Sequence, residues 1–388
     1  MRLRQLDILR ALAVLLVLGR HLPDIPASIT GLSRGALELW QRCGWIGVDL
    51  FFVLSGFLIA GLLFGEHERH GRIAVRRFYV RRGLKIYPPF YVLLLATVLI
   101  NPMLELSLWP RTVVYEALFI QNYGPGLWAH TWSLAVEEHF YIILPLALTM
   151  LAAPAARRGK TRSAREAFAP LIWLMPVAGI ALLILRTINV AQPFSIRTHV
   201  FPTHLRIDAL LFGVLLSYIY HAYPAALSCW IERHRRRLAV GSLLCVLPPL
   251  IWQTHQPIIH TVGFTLLYLG FGGVLLLALD RERQGLPTSR AGDCLARMGT
   301  YSYSIYLWHV PLLIWGGLTI GKAVPFGLWL TIYLVGSVLV GIAMARVIEL
   351  PTLALRDRLF PSRSKPLSGL DEPVEAPLPP AGAEPRTA

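Results

Sequence analysis

Apolar runs approaching twenty residues recur along most of the chain, among them "WIGVDLFFVLSGFLIAGLLF" and "FGLWLTIYLVGSVLVGIAM". A helix needs about 20 such residues to cross the hydrocarbon of a bilayer. Inside lipid every backbone polar group has to be satisfied within the protein, so repeated runs of this length restrict the fold to a helical bundle. Composition agrees: the 388 residues are 55% hydrophobic and 15% charged, where a soluble domain carries about 25% charged residues. The expected fold is all-α, a polytopic transmembrane helical bundle of about ten spans. Hydropathy places them near 5–22, 45–65, from 86 onward, 132–152, 168–188, 204–222, 239–253, 260–279, 299–318 and 326–347.

The formal net charge of +15 does not require a nucleic acid partner. The basic residues cluster in "RHGRIAVRRFYVRRGLK", "ARRGKTRSAR" and "IERHRRR". With the N-terminus inside, all three loops fall on one side of the membrane, as the positive-inside pattern requires, and both termini are cytoplasmic. Cys43, Cys229, Cys245 and Cys294 are far apart and form no CxxC pair, so neither a metal site nor a disulfide framework is expected. "MRLR" followed by "ALAVLLVL" resembles a signal peptide, but no small-x-small cleavage site follows, and Asp7 and Arg10 interrupt the region. It reads as a retained first span. Residues 1–355 are expected to form one transmembrane domain with no internal repeat. From 361 the chain is rich in Pro, Ala and Glu and reads as a disordered cytoplasmic tail.

The first span, "LDILRALAVLLVLGRHLPD", carries Arg10 and His21. A charged residue in hydrocarbon costs about 2.5–3.5 kcal/mol on insertion scales, so it needs a reason to be there. Eleven residues of helix put both side chains on one face, roughly 16 Å apart along the axis. Taken alone, Arg10 snorkelling and His21 capping the span is an equal alternative to a functional pair. Arg20 points about 100° away from His21, toward the outer headgroups. Arg76, Arg77, Arg81, Arg82 and Lys85 are either ordinary inside charge or a clamp for a phosphorylated donor. Asp49 in "GVDLFFVLSG", and Glu137 and Glu138 in "WSLAVEEHFYIILP" behind Trp132, are expensive in a span unless paired or facing a wet cavity. Arg206 and Asp208 begin the sixth span, and His309 lies within the ninth. So many ionisable groups toward the outer half argue for a polar cavity opening outward. Ser55-Gly56 reads as a close-packing site rather than a nucleophile.

Taken in order, Arg-x10-His (Arg10, His21), "GVDLFFVLSGFLI", "RRGLKIYPPFY", "WSLAVEEHFYIILP", "RIDALLFG", "YSYSIYLWHVPLL" and "IELP" resemble the acyltransferase-3 family of integral membrane O-acyltransferases over roughly residues 5–351. The resemblance implies transfer of an acyl group, acetyl being the expectation, from cytoplasmic acyl-CoA to a hydroxyl of a glycan or glycosylated acceptor at the outer face. It implies His21 as the catalytic histidine with Arg10 as its partner, and Glu137 at the acidic position of the "WSLxVE" motif; the residues themselves lead us to expect Glu137 or Asp49 to orient the ring or stabilise its cation. Arg10, Arg77, Arg81, Arg82 and Lys85 are expected on the donor side. Trp132, Arg206, Asp208 and His309 are expected on the acceptor side. Lys85 stands where relatives commonly have Arg, which keeps attraction for phosphate but loses the bidentate fork. No permanently bound cofactor and no metal are expected, acyl-CoA being a substrate. Membrane lipids surround the chain, and its expected place is the bacterial cytoplasmic (inner) membrane, in the stand-alone form without a hydrolase-like domain. The alternative is a proton-coupled exporter of a sugar or lipid-linked metabolite, using His21, Glu137 and His309 as a relay. The absence of matching Gly/Pro-broken spans in the two halves speaks against it.

Overall fold

The structure, a computed structural model, describes residues 3–157 and 163–361. The tail beyond 361 and the middle of the 156–165 loop lie outside the described residues, among which there is no β-strand. The first helix, α1 (Arg4–Arg20), has Asp7 in its first turn, where a carboxylate suits the helix dipole, and ends before the proline-broken "HLPDIP". An amphipathic helix α2 (Gly31–Cys43) leads into α3 (Ile46–His70). That helix stops at Gly71, whose φ of 67° is left-handed and whose N–H donates to the His67 carbonyl at 2.7 Å. The next helices are α4 (Val75–Met103), the short α5 (Pro110–Ala117), α6 (Trp132–Arg157), α7 (Leu171–Asn189) and α8 (Asp208–Ala222). Then come α9 (Pro224–Val246), α10 (Phe264–Arg283), α11 (Arg290–Gly299), α12 (Ser302–Gly316), α13 (Phe326–Met344) and α14 (Leu350–Leu359).

Each hydropathy segment coincides with helix. Seven helices are individually long and apolar enough to cross a membrane: α3, α4, α6 and α7, and the helices α10, α12 and α13 with their π-turn extensions. The pair α8 and α9, bent by 108°, makes an eighth if taken as one span. Two expected loops are corrected. "IERHRRR" is the middle of α9, because no Gly or Pro interrupts Ala225–Val240 and Ala, Leu, Arg and Glu favour helix. Arg76–Lys85 likewise lies inside α4, which leaves only residues 71–74 to turn the chain after α3.

Helix α3 is the buried centre and packs most extensively along α8. They cross at Gly56 and Gly213: a Cβ on Gly56 would overlap the Leu210 carbonyl, and one on Gly213 would overlap the Val53 carbonyl. Small residues let membrane helices approach backbone to backbone, so Gly56 packs as expected. Antiparallel to α3 runs α1, with Gly47 against the Ala13 carbonyl. The Arg10 end of the bundle therefore gathers the C-terminus of α3, the N-terminus of α4 and the basic middle of α9. Arg4 pairs there with Asp293 at 3.1 Å, and Arg235 with Asp280 at 3.0 Å. The opposite half holds two fully buried ion pairs, Arg206–Asp49 at 2.7 Å and Arg186–Asp208 at 2.6 Å.

Candidate active site

Two of the cavities along α1 hold its ionisable pair, Arg10 and His21. The one at the Arg10 end has a volume of about 320 Å³ and is lined by Arg10, Arg82 and Lys85 facing Glu137, Glu138 and Glu349, with Tyr141, Tyr303 and Tyr306 between them. The other, about 520 Å³, holds His21 with Arg20, Arg42, Trp45, His130, Trp132 and Phe201. Val48 and Tyr306 line both, so one thin wall divides the two. Three turns of α1 thus present Arg10 to one chamber and His21 to the other.

At the dividing wall three histidines meet. His309 Nε2 lies 3.1 Å from His21 Nδ1, and the His130 ring centre is 5.0 Å from that of His309. The hydrogen bonds assign the tautomers. His309 Nδ1 is 2.6 Å from the Tyr306 carbonyl, which can only accept, so Nδ1 carries the proton and Nε2 of the neutral ring keeps its lone pair. His21 Nδ1 then donates, shared between His309 Nε2 and the Val17 carbonyl at 3.2 Å. That leaves His21 Nε2 as the lone-pair nitrogen, the form a base or nucleophile needs. His309 takes the orienting position that a carboxylate holds in a Ser-His-Asp triad.

His130 was not among the expected site residues. Its Nε2 donates to the Leu307 carbonyl at 3.2 Å. Pro311 lies four residues on and has no N–H to give that carbonyl, so the proline inside α12 frees the acceptor that His130 takes up. This freed carbonyl in "LWHVP" was the available signal. Tyr306 closes the set, donating to the His130 carbonyl at 2.6 Å beside Ser133 Oγ at 2.6 Å. Outside the spans, Glu116 pins the 127–131 segment that carries His130, accepting from Leu127 N at 3.1 Å and from the Thr131 hydroxyl. Burial, partly offset by these hydrogen bonds, pushes its carboxyl up to about 7.

The other expected residues divide by place. Arg10 pairs with Asp7 at 3.1 Å on the cavity wall. Arg82 lies 4.0 Å from Glu137 and stacks over the Tyr141 ring at 3.9 Å. Glu137 accepts from the Tyr141 hydroxyl at 2.8 Å and belongs to the Arg10 cavity, so it does not orient His21. Asp49 does not either: Arg206 holds it between α3 and the start of α8. Asp49, Arg206 and Asp208 line neither cavity: Arg206 neutralises Asp49 and Arg186 neutralises Asp208 inside the helix packing, and the Arg206 guanidinium also stacks 3.7 Å over Phe264. Trp132 lines the His21 cavity, whereas His309 is wholly buried behind His21 and out of reach of an acceptor. Arg77 and Arg81 line neither cavity. They bind the C-terminal segment, Arg77 at the Pro361 carbonyl and Arg81 at the Phe360 carbonyl and at Asp357, 3.0 Å away. Glu349 of "IELP", given no role from sequence, faces the Arg10 cavity and accepts from Ser304 Oγ at 2.7 Å. Arg20, expected to snorkel away, lines the cavity of His21. Among the described residues no group of His, Cys, Asp and Glu is arranged to hold a metal ion.

Residues 3–346 match the family model described as an acyltransferase domain. The peptidoglycan O-acetyltransferase OatA of Listeria monocytogenes is 27% identical over 334 residues, which cover 79% of this chain and 49% of that protein. A putative peptidoglycan O-acetyltransferase, YrhL of Bacillus subtilis, is 27% identical over 80% of this chain and 48% of its own. The O-acetyltransferase OatA of Staphylococcus aureus is 27% identical over 80% and 50%. The chain thus spans about half the length of the curated relatives it matches. No solved structure matches it. With the match running from residue 3 to residue 346, through the span of Arg10 and His21 and all three clustered histidines, the chain belongs to the acyltransferase-3 family of membrane proteins.

Proposed function

We propose that the chain is a membrane O-acetyltransferase that takes acetyl groups from acetyl-CoA on the cytoplasmic side and delivers them to glycan hydroxyls on the outer side of a bacterial cytoplasmic membrane. The observation that carries this reading is His21 Nε2, a lone-pair nitrogen in one cavity, separated by Val48 and Tyr306 from a second, cation-bearing cavity. The positive-inside pattern supports a cytoplasmic Arg10 end, where the basic stretches gather. The Arg10 cavity, of about 320 Å³, suits the slender, amide-bearing arm of a CoA thioester. Its mixture of Arg10, Arg82 and Lys85 with three carboxylates offers donors and acceptors to those amides. Relatives named for O-acetylation of peptidoglycan support the acetyl group and a carbohydrate acceptor.

In direct transfer, the acceptor hydroxyl gives its proton to His21 Nε2 as its oxygen attacks the thioester carbonyl. The C–S bond breaks, and the imidazolium returns the proton to the leaving thiolate. In the two-step form, Nε2 itself attacks the carbonyl and the C–S bond breaks to release the thiolate; the acceptor oxygen then takes the acyl group as the Nε2–acyl bond breaks, and the hydroxyl proton passes to the thiolate, restoring the neutral imidazole. Both use the tautomer set by His309. The test supplies purified full-length chain with acetyl-labelled acetyl-CoA, with and without a cell-envelope glycan fraction. Label retained on wild type without acceptor, and lost in His21→Ala, supports an acyl-histidine. CoA release only when glycan is present supports direct transfer. Equal CoA release by wild type and His21→Ala would sink the proposal.

A further inference from the structure

The charge lining the His21 cavity is unbalanced. Two arginines face it, Arg20 from the end of α1 and Arg42 from the end of α2. Its one carboxylate, Glu38, is held by Arg34 at 2.7 Å. Arg20 reaches only the Gln41 carbonyl at 3.4 Å, and Arg42 donates to the Leu250 carbonyl. Neither has a carboxylate partner among the described residues, and Arg42 Nε is buried without a hydrogen bond. Most cations of the chain sit at the opposite end, in the arrangement that sets topology, so two guanidinium groups at this mouth are not explained by orientation. Flat aromatic rings make up a further part of the lining, beside aliphatic and amide side chains and His255: Trp45, and Trp132 stacked on Phe201 with centres 5.0 Å apart and planes 10° off parallel. A volume of about 520 Å³ lies within the range of small-ligand sites, about 300–1,000 Å³.

Resting on the acetyl-transfer reading above, we infer that the acceptor is anionic: a sugar bearing a carboxylate or phosphate, which Arg20 and Arg42 bind while the aromatic rings hold the pyranose beside His21 Nε2. A guanidinium fork matches both anions in bidentate geometry, and partial desolvation at the mouth strengthens the pairing. The anion also fixes which hydroxyl faces the histidine, so the pair selects position as well as substrate.

The experiment uses everted vesicles carrying the full chain, supplied with radiolabelled acetyl-CoA. The envelope glycans are then digested and their fragments separated on an anion exchanger. Label in retained fragments is the expected result. Treatment with phosphodiesterase and phosphatase separates the sources, since retention is lost for a phosphate and kept for a carboxylate. With the purified full-length chain and graded amounts of the glycan fraction, Arg42→Gln is expected to raise the apparent KM for the glycan about tenfold with kcat little changed, and Arg42→Lys to restore the greater part. Label confined to unretained, neutral fragments overturns this inference and leaves acetyl transfer standing. Label in no fragment overturns both.

Discussion

His309 Nε2 stands 3.1 Å from His21 Nδ1, with the Tyr306 carbonyl fixing the far side of the His309 ring at 2.6 Å. The relay makes one tautomer of His21 the favoured one. Without it, Val17 alone holds the ring, and the proton can move to Nε2, where it blocks both base and nucleophile. His309→Ala should therefore lower kcat by about 10²-fold, within the range lost when general-base catalysis is impaired, while the KM for donor changes little. In His309→Gln the amide oxygen can still accept from His21 Nδ1, so that variant should keep more activity than the alanine. Steady-state kinetics on the three proteins decides it. A His309→Ala enzyme with wild-type kcat would leave His309 a packing residue.

Asp49 tests the division between chemistry and scaffold. Its partner Arg206 is almost wholly inaccessible, and neither residue lines a cavity. Removing one member of a buried pair leaves the other charge uncompensated, at a cost of about 3–5 kcal/mol. Asp49→Asn should thus lower the melting temperature and the yield of folded protein. The kcat of the folded fraction, normalised by a tight-binding donor analogue, should stay near wild type. A stable Asp49→Asn protein that is inactive would return Asp49 to the catalytic set.

His130 and Pro311 should be energetically coupled through the Leu307 carbonyl. His130→Ala leaves that carbonyl buried and unsatisfied, a loss of about 1–3 kcal/mol. Pro311→Ala supplies a backbone N–H four residues on and closes the gap within α12. In a double-mutant cycle read by thermal unfolding, the Pro311→Ala background should reduce the cost of His130→Ala by at least about 0.5 kcal/mol. Additive costs would break the link.

How much could be read in the sequence depended on the range of the interaction. Hydropathy located every long helix because the bilayer demands a fixed length of apolar residues, and helical periodicity placed Arg10 and His21 on one face. The amphipathic α2, α5 and α11 escaped, being too short or too polar to register as spans, as did α14, which continues the last span past its apolar part. Inside the site, partners across helices were hidden. The sequence leads us to expect Glu137 or Asp49 beside His21, yet the α3–α8 crossing at Gly56 and Gly213 brings Asp49 to Arg206, 157 positions away. Arg77 and Arg81 looked like a free clamp because nothing local reveals that residues 357–361 fold back onto them. His309 was recognised as a site residue but given to the acceptor, since only packing shows that His21 covers it.

Glu116 gives a pH dependence that can be measured apart from catalysis. Its carboxyl lies in α5, outside the spans, and burial pushes it up to about 7 against an ordinary value of 4.5. A group whose folded pKa is raised contributes stability below its unfolded value and loses it as pH rises through the folded one. The window is therefore about pH 4.5 to 7, and the full loss is on the order of 3 kcal/mol. Glu116→Gln keeps an oxygen for Thr131 or Leu127 and cannot ionise. Wild type minus Glu116→Gln, compared by melting temperature in one detergent, should fall steadily from pH 5 to pH 8. Since Glu116 anchors the segment bearing His130, protection of amides 127–131 from hydrogen exchange, corrected for intrinsic rate, should weaken over the same window in wild type alone. A pH-independent difference between the two proteins would show that the carboxyl is already ionised at pH 5.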